Sequence, residues 1–170
     1  MKFSTALSLL SFCLVPATAL SILDGGNKIP GDSPLELCDG DHSDDQITIK
    51  KVDLDPNPPK AGQELLIKAS GTVKETIRKG AYVKVTVKYG LIRLMSMTAD
   101  LCEQIGNVNM TCPVEAGDQT IEKIVKLPAE IPPGKYNVVA DVYNADDEQI
   151  TCLTAAVTFT IGGLGYFNEL

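Results

Sequence analysis

One histidine, five cysteines and a small cationic cluster are the groups in this chain with chemistry to offer. His42 sits in the acidic run Asp39-Gly40-Asp41-His42-Ser43-Asp44-Asp45, so any Ser-His or Cys-His nucleophile pair would have to use it. A catalytic base needs a group that orients it, and a loose acidic loop offers none. The chain also has no G-x-S-x-G elbow, no H-E-x-x-H helix and no glycine-rich phosphate loop. It is not expected to be an enzyme. The aspartates of the run depart from the spacing of a calcium-binding EF-hand loop and read as a solvated turn. There is no C-x-x-C pair to start a zinc site, so neither metal nor cofactor is expected. Lys74, Arg78 and Lys79 form the cationic cluster. It could attract a phosphate, or it could be no more than a solvated hairpin.

The cysteines are better suited to stapling than to catalysis. Met1-Lys2, the apolar run Phe3 to Val15 and the small residues Ala17-Thr18-Ala19 form a secretion signal over residues 1–19, which carries Cys13 away. In an oxidising compartment the remaining Cys38, Cys102, Cys112 and Cys152 allow three pairings. Cys38–Cys152 with Cys102–Cys112 is the favoured one, the first spanning nearly the whole domain and the second closing a short loop. On a loop-entropy argument these bridges are worth about 5 and about 3 kcal/mol before strain is subtracted. Asn109-Met110-Thr111 is an N-glycosylation sequon inside that short loop. The formal net charge of -7 gives no bulk attraction for nucleic acid or an anionic membrane. The destination is the secretory pathway, either a vacuole lumen or the medium, and nothing points to an oligomer, so a monomer is expected.

The elements that must carry these groups are strands. Residues 20–37 are rich in Gly, Pro and Asp without periodicity and read as a flexible leader or propeptide, with the domain occupying 38–161 and a tail 162–170. Gln46 to Leu54 alternates, with a break at Lys50-Lys51 that suggests a bulge, and ends in Asp55-Pro56-Asn57-Pro58-Pro59. Glu64 to Val73 follows, then Ala81 to Tyr89 with Val83, Val85, Val87 and Tyr89 facing one way. After Gly90 the alternation is lost. Leu91, Ile92, Leu94, Met95 and Met97 crowd apolar groups onto both faces, so both sides of this strand are expected to be covered. Thr120 to Leu127, Tyr136 to Tyr143 and Gln149 to Ile161 complete about seven strands with no convincing helix. The fold class is all-β, an immunoglobulin-like antiparallel β-sandwich, although the chain has no Trp to pack on an inter-sheet disulfide. Met95 and Met97 could wall a site for varied apolar ligands, or all these residues could simply fill a core.

The combination Asn109-Met110-Thr111-Cys112-Pro113-Val114, Lys126-Leu127-Pro128, Ile131-Pro132-Pro133-Gly134-Lys135-Tyr136 continuing to Tyr143, and Gln149-Ile150-Thr151-Cys152 resembles the ML lipid-recognition family. The resemblance covers about Cys38 to Ile161. It implies a sandwich with splayed sheets and an apolar cavity between them, carrying phospholipid (phosphatidylglycerol, phosphatidylinositol) or sterol during transient contact with membranes. It implies a pocket mouth built from Leu91, Ile92, Leu94, Met95 and Met97 and from Ala129, Ile131, Pro132, Pro133 and Tyr136, with Val83, Val85 and Val87 on the wall. Lys74, Arg78 and Lys79 are then candidates for the head group, and Cys102–Cys112 should fix a loop near the mouth. A third, local disulfide of the animal members has no counterpart here and the Cys102–Cys112 loop is longer, so sterol preference does not carry over. The alternative is a secreted structural or adhesion β-sandwich with a filled core.

Overall fold

The computed structural model describes residues 27–106, 108 and 110–160. The expected signal segment, residues 20–26 of the expected leader, the sequon residue Asn109 and the whole tail expected at 162–170 lie outside the described residues. Eight strands and one short helix follow in chain order: β1 (Leu35–Leu37), β2 (Ile47–Asp55), β3 (Glu64–Val73), β4 (Tyr82–Tyr89), β5 (Ile92–Asp100), α1 (Leu101–Gly106), β6 (Gly117–Lys126), β7 (Gly134–Tyr143) and β8 (Gln149–Phe159). They form a five-stranded sheet, β1-β8-β7-β4-β5, and a three-stranded sheet, β2-β3-β6, both antiparallel. The break at Lys50 is a bulge, where the register of β2 on β3 shifts between Ile49 and Lys51. α1 escaped sequence reading because one and a half turns show no periodicity. Its start is fixed locally, the Asp100 carboxylate accepting the Glu103 backbone N–H at 3.0 Å as an N-cap does.

The expectation that the folded domain starts at Cys38 is corrected. Ile29 is only 2% exposed and packs with Val52, Leu54 and Leu65. Residues 27–37 double back on themselves through Ile29 N–H to Leu35 C=O and Leu37 N–H to Asn27 C=O. β1 then pairs with β8, while the preceding turn takes the backbone N–H groups of Val52 and Leu54 through the Pro30 and Asp32 carbonyls. Gly- and Pro-rich composition looked like a linker, yet it serves a crossing in which the chain must leave one sheet and reach the other. This segment therefore sews the β1 edge of the large sheet to the β2 edge of the small one. Cys38–Cys152, with Cα atoms 5.4 Å apart, lies on the same side.

At the opposite edges, β5 and β6 share no backbone hydrogen bond among the described residues. Here the second expectation fails, because neither side of β5 is covered: Ile92 is 65%, Leu94 56%, Met95 47% and Met97 46% exposed. Apolar groups on both faces normally signal a central strand. β5 instead ends its sheet, pairing only with β4.

Candidate functional site

The inner face of the large sheet can be traced from its registers. Val83 and Val142, opposite each other, pack into a buried cluster with Val73, Ile77, Ala81, Val114 and Ile150, so they point between the sheets. Alternation carries the same face along β4 through Val85, Val87 and Tyr89. Opposite these stand Ala140, Val138 and Tyr136 on β7, and Met97, Met95 and Ile92 on β5. The β5 register slips between Val87 and Lys88, which leaves Leu94 as the extra residue of a bulge and re-aims the strand. Leu91 stands fully exposed at the hairpin tip. On the small sheet Leu54, Ile67 and Lys123 share one face, as do Val52, Ala69 and Ile121.

The burial of these faces is inverted relative to a filled sandwich. Stacked sheets about 10 Å apart interdigitate, so mid-strand inward residues should be the most hidden. Here the hidden residues form two separate clusters, one at the Val73–Ala81 end and one along the sewn edge beside Ile29. The mid-face residues Val85, Val87, Val138, Ala140, Ala155, Ile67 and Ala69 remain only half-buried. These aliphatic side chains face the other sheet and are still reachable by solvent.

The loop carrying Ala129 to Tyr136 meets the end of β4 that leads into Leu91. Tyr89 donates its hydroxyl to the Pro133 carbonyl at 3.2 Å and Tyr136 to the Pro132 carbonyl at 2.8 Å, and the rings meet edge-on at 5.2 Å. The Gly90 N–H reaches the Lys135 carbonyl. Tyr136 is buried, Ile131 half-buried, and Ala129, Pro132 and Pro133 are exposed. Gly134 has φ +145° and its Cα hydrogens abut the Tyr89 ring, leaving no room for a Cβ. The loop after Pro128 is thus tied to the hairpin by the Tyr89 hydroxyl, while the Tyr136 hydroxyl closes the loop on itself.

The model belonging to the ML domain family matches residues 32–159. The chain belongs to the ML domain family. The phosphatidylglycerol/phosphatidylinositol transfer protein of Pyricularia oryzae is 57% identical over 166 residues, covering 94% of this chain and 93% of that protein. The protein of the same name from Neurospora crassa is 56% identical over 144 residues, covering 84% and 81%. Among solved structures, chicken MD-1 complexed with lipid IVa superposes with a TM-score of 0.50 at 19% identity, covering 75% of this chain and 92% of that one. That likeness is one of fold.

Within this ML domain the cationic cluster is not brought to the tyrosine-tied loop. Lys74 and Arg78 line a polar hollow with Gln46, Asn144, Asp146 and Glu148, and Lys79 borders another beside Cys102 and Cys112. Both hollows lie where β3 ends and β4 begins, at the far end of β4 from Tyr89. Neither is lined by the inward valines. The Cys102–Cys112 loop sits there too, its Leu101 N–H bonded to the Ala81 carbonyl, at the far end of β4 from the tyrosine-tied loop.

The His42 run is not loose either. His42 contacts the Cys38 carbonyl at 2.6 Å and the Asp45 carboxylate at 3.1 Å, and Asp45 also accepts the Thr151 hydroxyl at 2.7 Å. The Cys38 carbonyl first, and Asp45 after it, raise the His42 pKa above its usual value. Both partners can only accept, so the ring is held in place rather than poised to take a proton from a nucleophile. Two residues escaped sequence reading altogether. Ala140 and Lys123 lie in the runs read as strands, and period-two counting from Val138 and from Ile121 would have put both on the inner face.

Proposed function

We propose that this ML domain is a carrier that takes phospholipid, with phosphatidylglycerol and phosphatidylinositol the first candidates, into the space between its sheets and moves it between membranes. The observation that carries the reading is the half-buried mid-face of both sheets, opening at the β5 and β6 edges beside the tyrosine-tied loop. The naming of the 57%-identical Pyricularia relative as a transfer protein for these lipids supports it. An acyl chain of about 300 Å² buried at about 25 cal/mol per Å² gives on the order of 7 kcal/mol, enough for capture with reversible release. The wall formed by Val83, Val85, Val87, Met95 and Met97 is adaptable and discriminates poorly between chain lengths, so sterol is a second ligand to test. No catalytic step is needed. The protein works as a monomer within the secretory pathway, in a vacuole lumen or outside the cell, after loss of residues 1–19.

The test is transfer of labelled phosphatidylglycerol, phosphatidylinositol and ergosterol between vesicles by the purified protein, with lipid extraction of the protein as isolated. Carriage of at least one phospholipid is expected. A preparation that extracts no lipid and transfers none would return the fold to the adhesion-domain reading with a filled core.

A further inference from the structure

β6 presents its residues the wrong way round for an ordinary edge strand. Ile124 faces out and is exposed, while Lys123, between Ile121 and Val125, faces in and is half-buried. Lys123 stands directly opposite Ile67, in the row that continues to Leu54. Its face is therefore the apolar inner face of the small sheet. Lys50, Lys51 and Lys68 of the same sheet are each paired with a carboxylate, of Asp118, Asp53 and Glu122 respectively. Among the described residues no carboxylate lies within ion-pair distance of Lys123.

A lysine stem can lie along apolar surface with its ammonium at the rim. At this position the rim is the unsewn edge, on the strand that runs directly into Leu127-Pro128 and the tyrosine-tied loop. We infer that Lys123 receives the phosphodiester of a phospholipid whose acyl chains lie between the sheets, and so sets the preference for lipids with a phosphate head. The assignment rests on the carrier reading above and takes the head-group role away from Lys74, Arg78 and Lys79. A charge-assisted contact to phosphate is among the stronger hydrogen bonds, whereas the acyl chains contribute equally with or without it.

The experiment compares Lys123→Met and Lys123→Arg with the wild type for transfer of phosphatidylglycerol and of diacylglycerol with the same acyl chains, which lacks the phosphate. Lys123→Met should lose about tenfold or more of phosphatidylglycerol transfer, as expected for one charged hydrogen bond, with diacylglycerol unchanged and Lys123→Arg close to wild type. Equal loss for both lipids would make Lys123 a structural residue and overturn the assignment. So would undiminished phosphatidylglycerol transfer by Lys123→Met; if that variant also dimerised on a sizing column, the inward charge guards an edge strand against pairing. A wild type that carries neither lipid would instead bring down the carrier reading itself, and this assignment with it.

Discussion

His42 and Asp45 are joined through Nδ1 and a carboxylate oxygen at 3.1 Å while the other ring nitrogen, Nε2, meets the Cys38 carbonyl at 2.6 Å. Two acceptors flank one ring, and only the imidazolium has a proton for each. Its pKa is raised for that reason, by the carbonyl first and the carboxylate next. A group whose folded pKa exceeds its unfolded value stabilises the fold in full below the unfolded value, about 6.5. The contribution disappears as pH rises through the folded value. Melting temperature should therefore fall as pH rises above about 6.5, and His42→Gln should flatten that slope. An unchanged slope would show that the ring bonds equally well when neutral.

Ala140 lies mid-face on β7, opposite Val85, and Ala155 on β8 lies opposite Val138. In a filled core, adding a phenyl ring at either site would cost about 1–3 kcal/mol by overpacking. With the sheets apart, Ala140→Phe and Ala155→Phe should fold with little change in melting temperature and compete with the lipid, lowering transfer. Strong destabilisation in both would mean that the space is already full.

Ile29 tests the sewn edge. Its side chain is buried against Val52, Leu54 and Leu65, so Ile29→Ala should cost about 2–5 kcal/mol in denaturant unfolding. Deleting residues 20–37 should cost more, since β1 and the Val52 and Leu54 hydrogen bonds go with them. A truncated chain as stable as the full one would restore the segment to a dispensable leader.

Leu91 and Ile92 at the β4–β5 hairpin tip expose apolar surface with Lys88 and Arg93 beside them. Apolar tips flanked by cations suit an anionic lipid surface. Leu91→Asp with Ile92→Asp should leave the melting temperature unchanged and weaken sedimentation with phosphatidylglycerol vesicles. Equal sedimentation would place the membrane contact elsewhere.

Gly134 abuts the Tyr89 ring with φ +145°. Gly134→Ala should destabilise by about 1–3 kcal/mol through backbone strain and release Tyr89 from Pro133. Slower or faster transfer accompanying that loss, read in the vesicle assay, would tie the loop to lipid entry. Transfer identical to wild type would reduce the tether to a stability element.

Much of this was written into local patterns. Alternating valines from Val83 to Val87 could only be a strand with one apolar face, and four cysteines behind an expected secretion signal implied staples. The motifs from Asn109 to Cys152 carried the family. These signals are short-range, so the sequence by itself determined strands β2 to β8, the all-β class and the kinship, and left β1 inside an expected leader. Which edges close was beyond it, because a Gly- and Pro-rich crossing and a disposable linker have the same composition. The hydrogen bonds that the Pro30 and Asp32 carbonyls accept from Val52 and Leu54, with the burial of Ile29, distinguish them. The apolar crowding from Leu91 to Met97 likewise reads as a core strand until its place at the end of a sheet is known. Whether inward faces meet or stand apart depends on the distance between sheets, a property of no single residue. It was the tertiary structure that separated the two buried clusters and left Val85, Ala140 and Lys123 half-buried on inward faces.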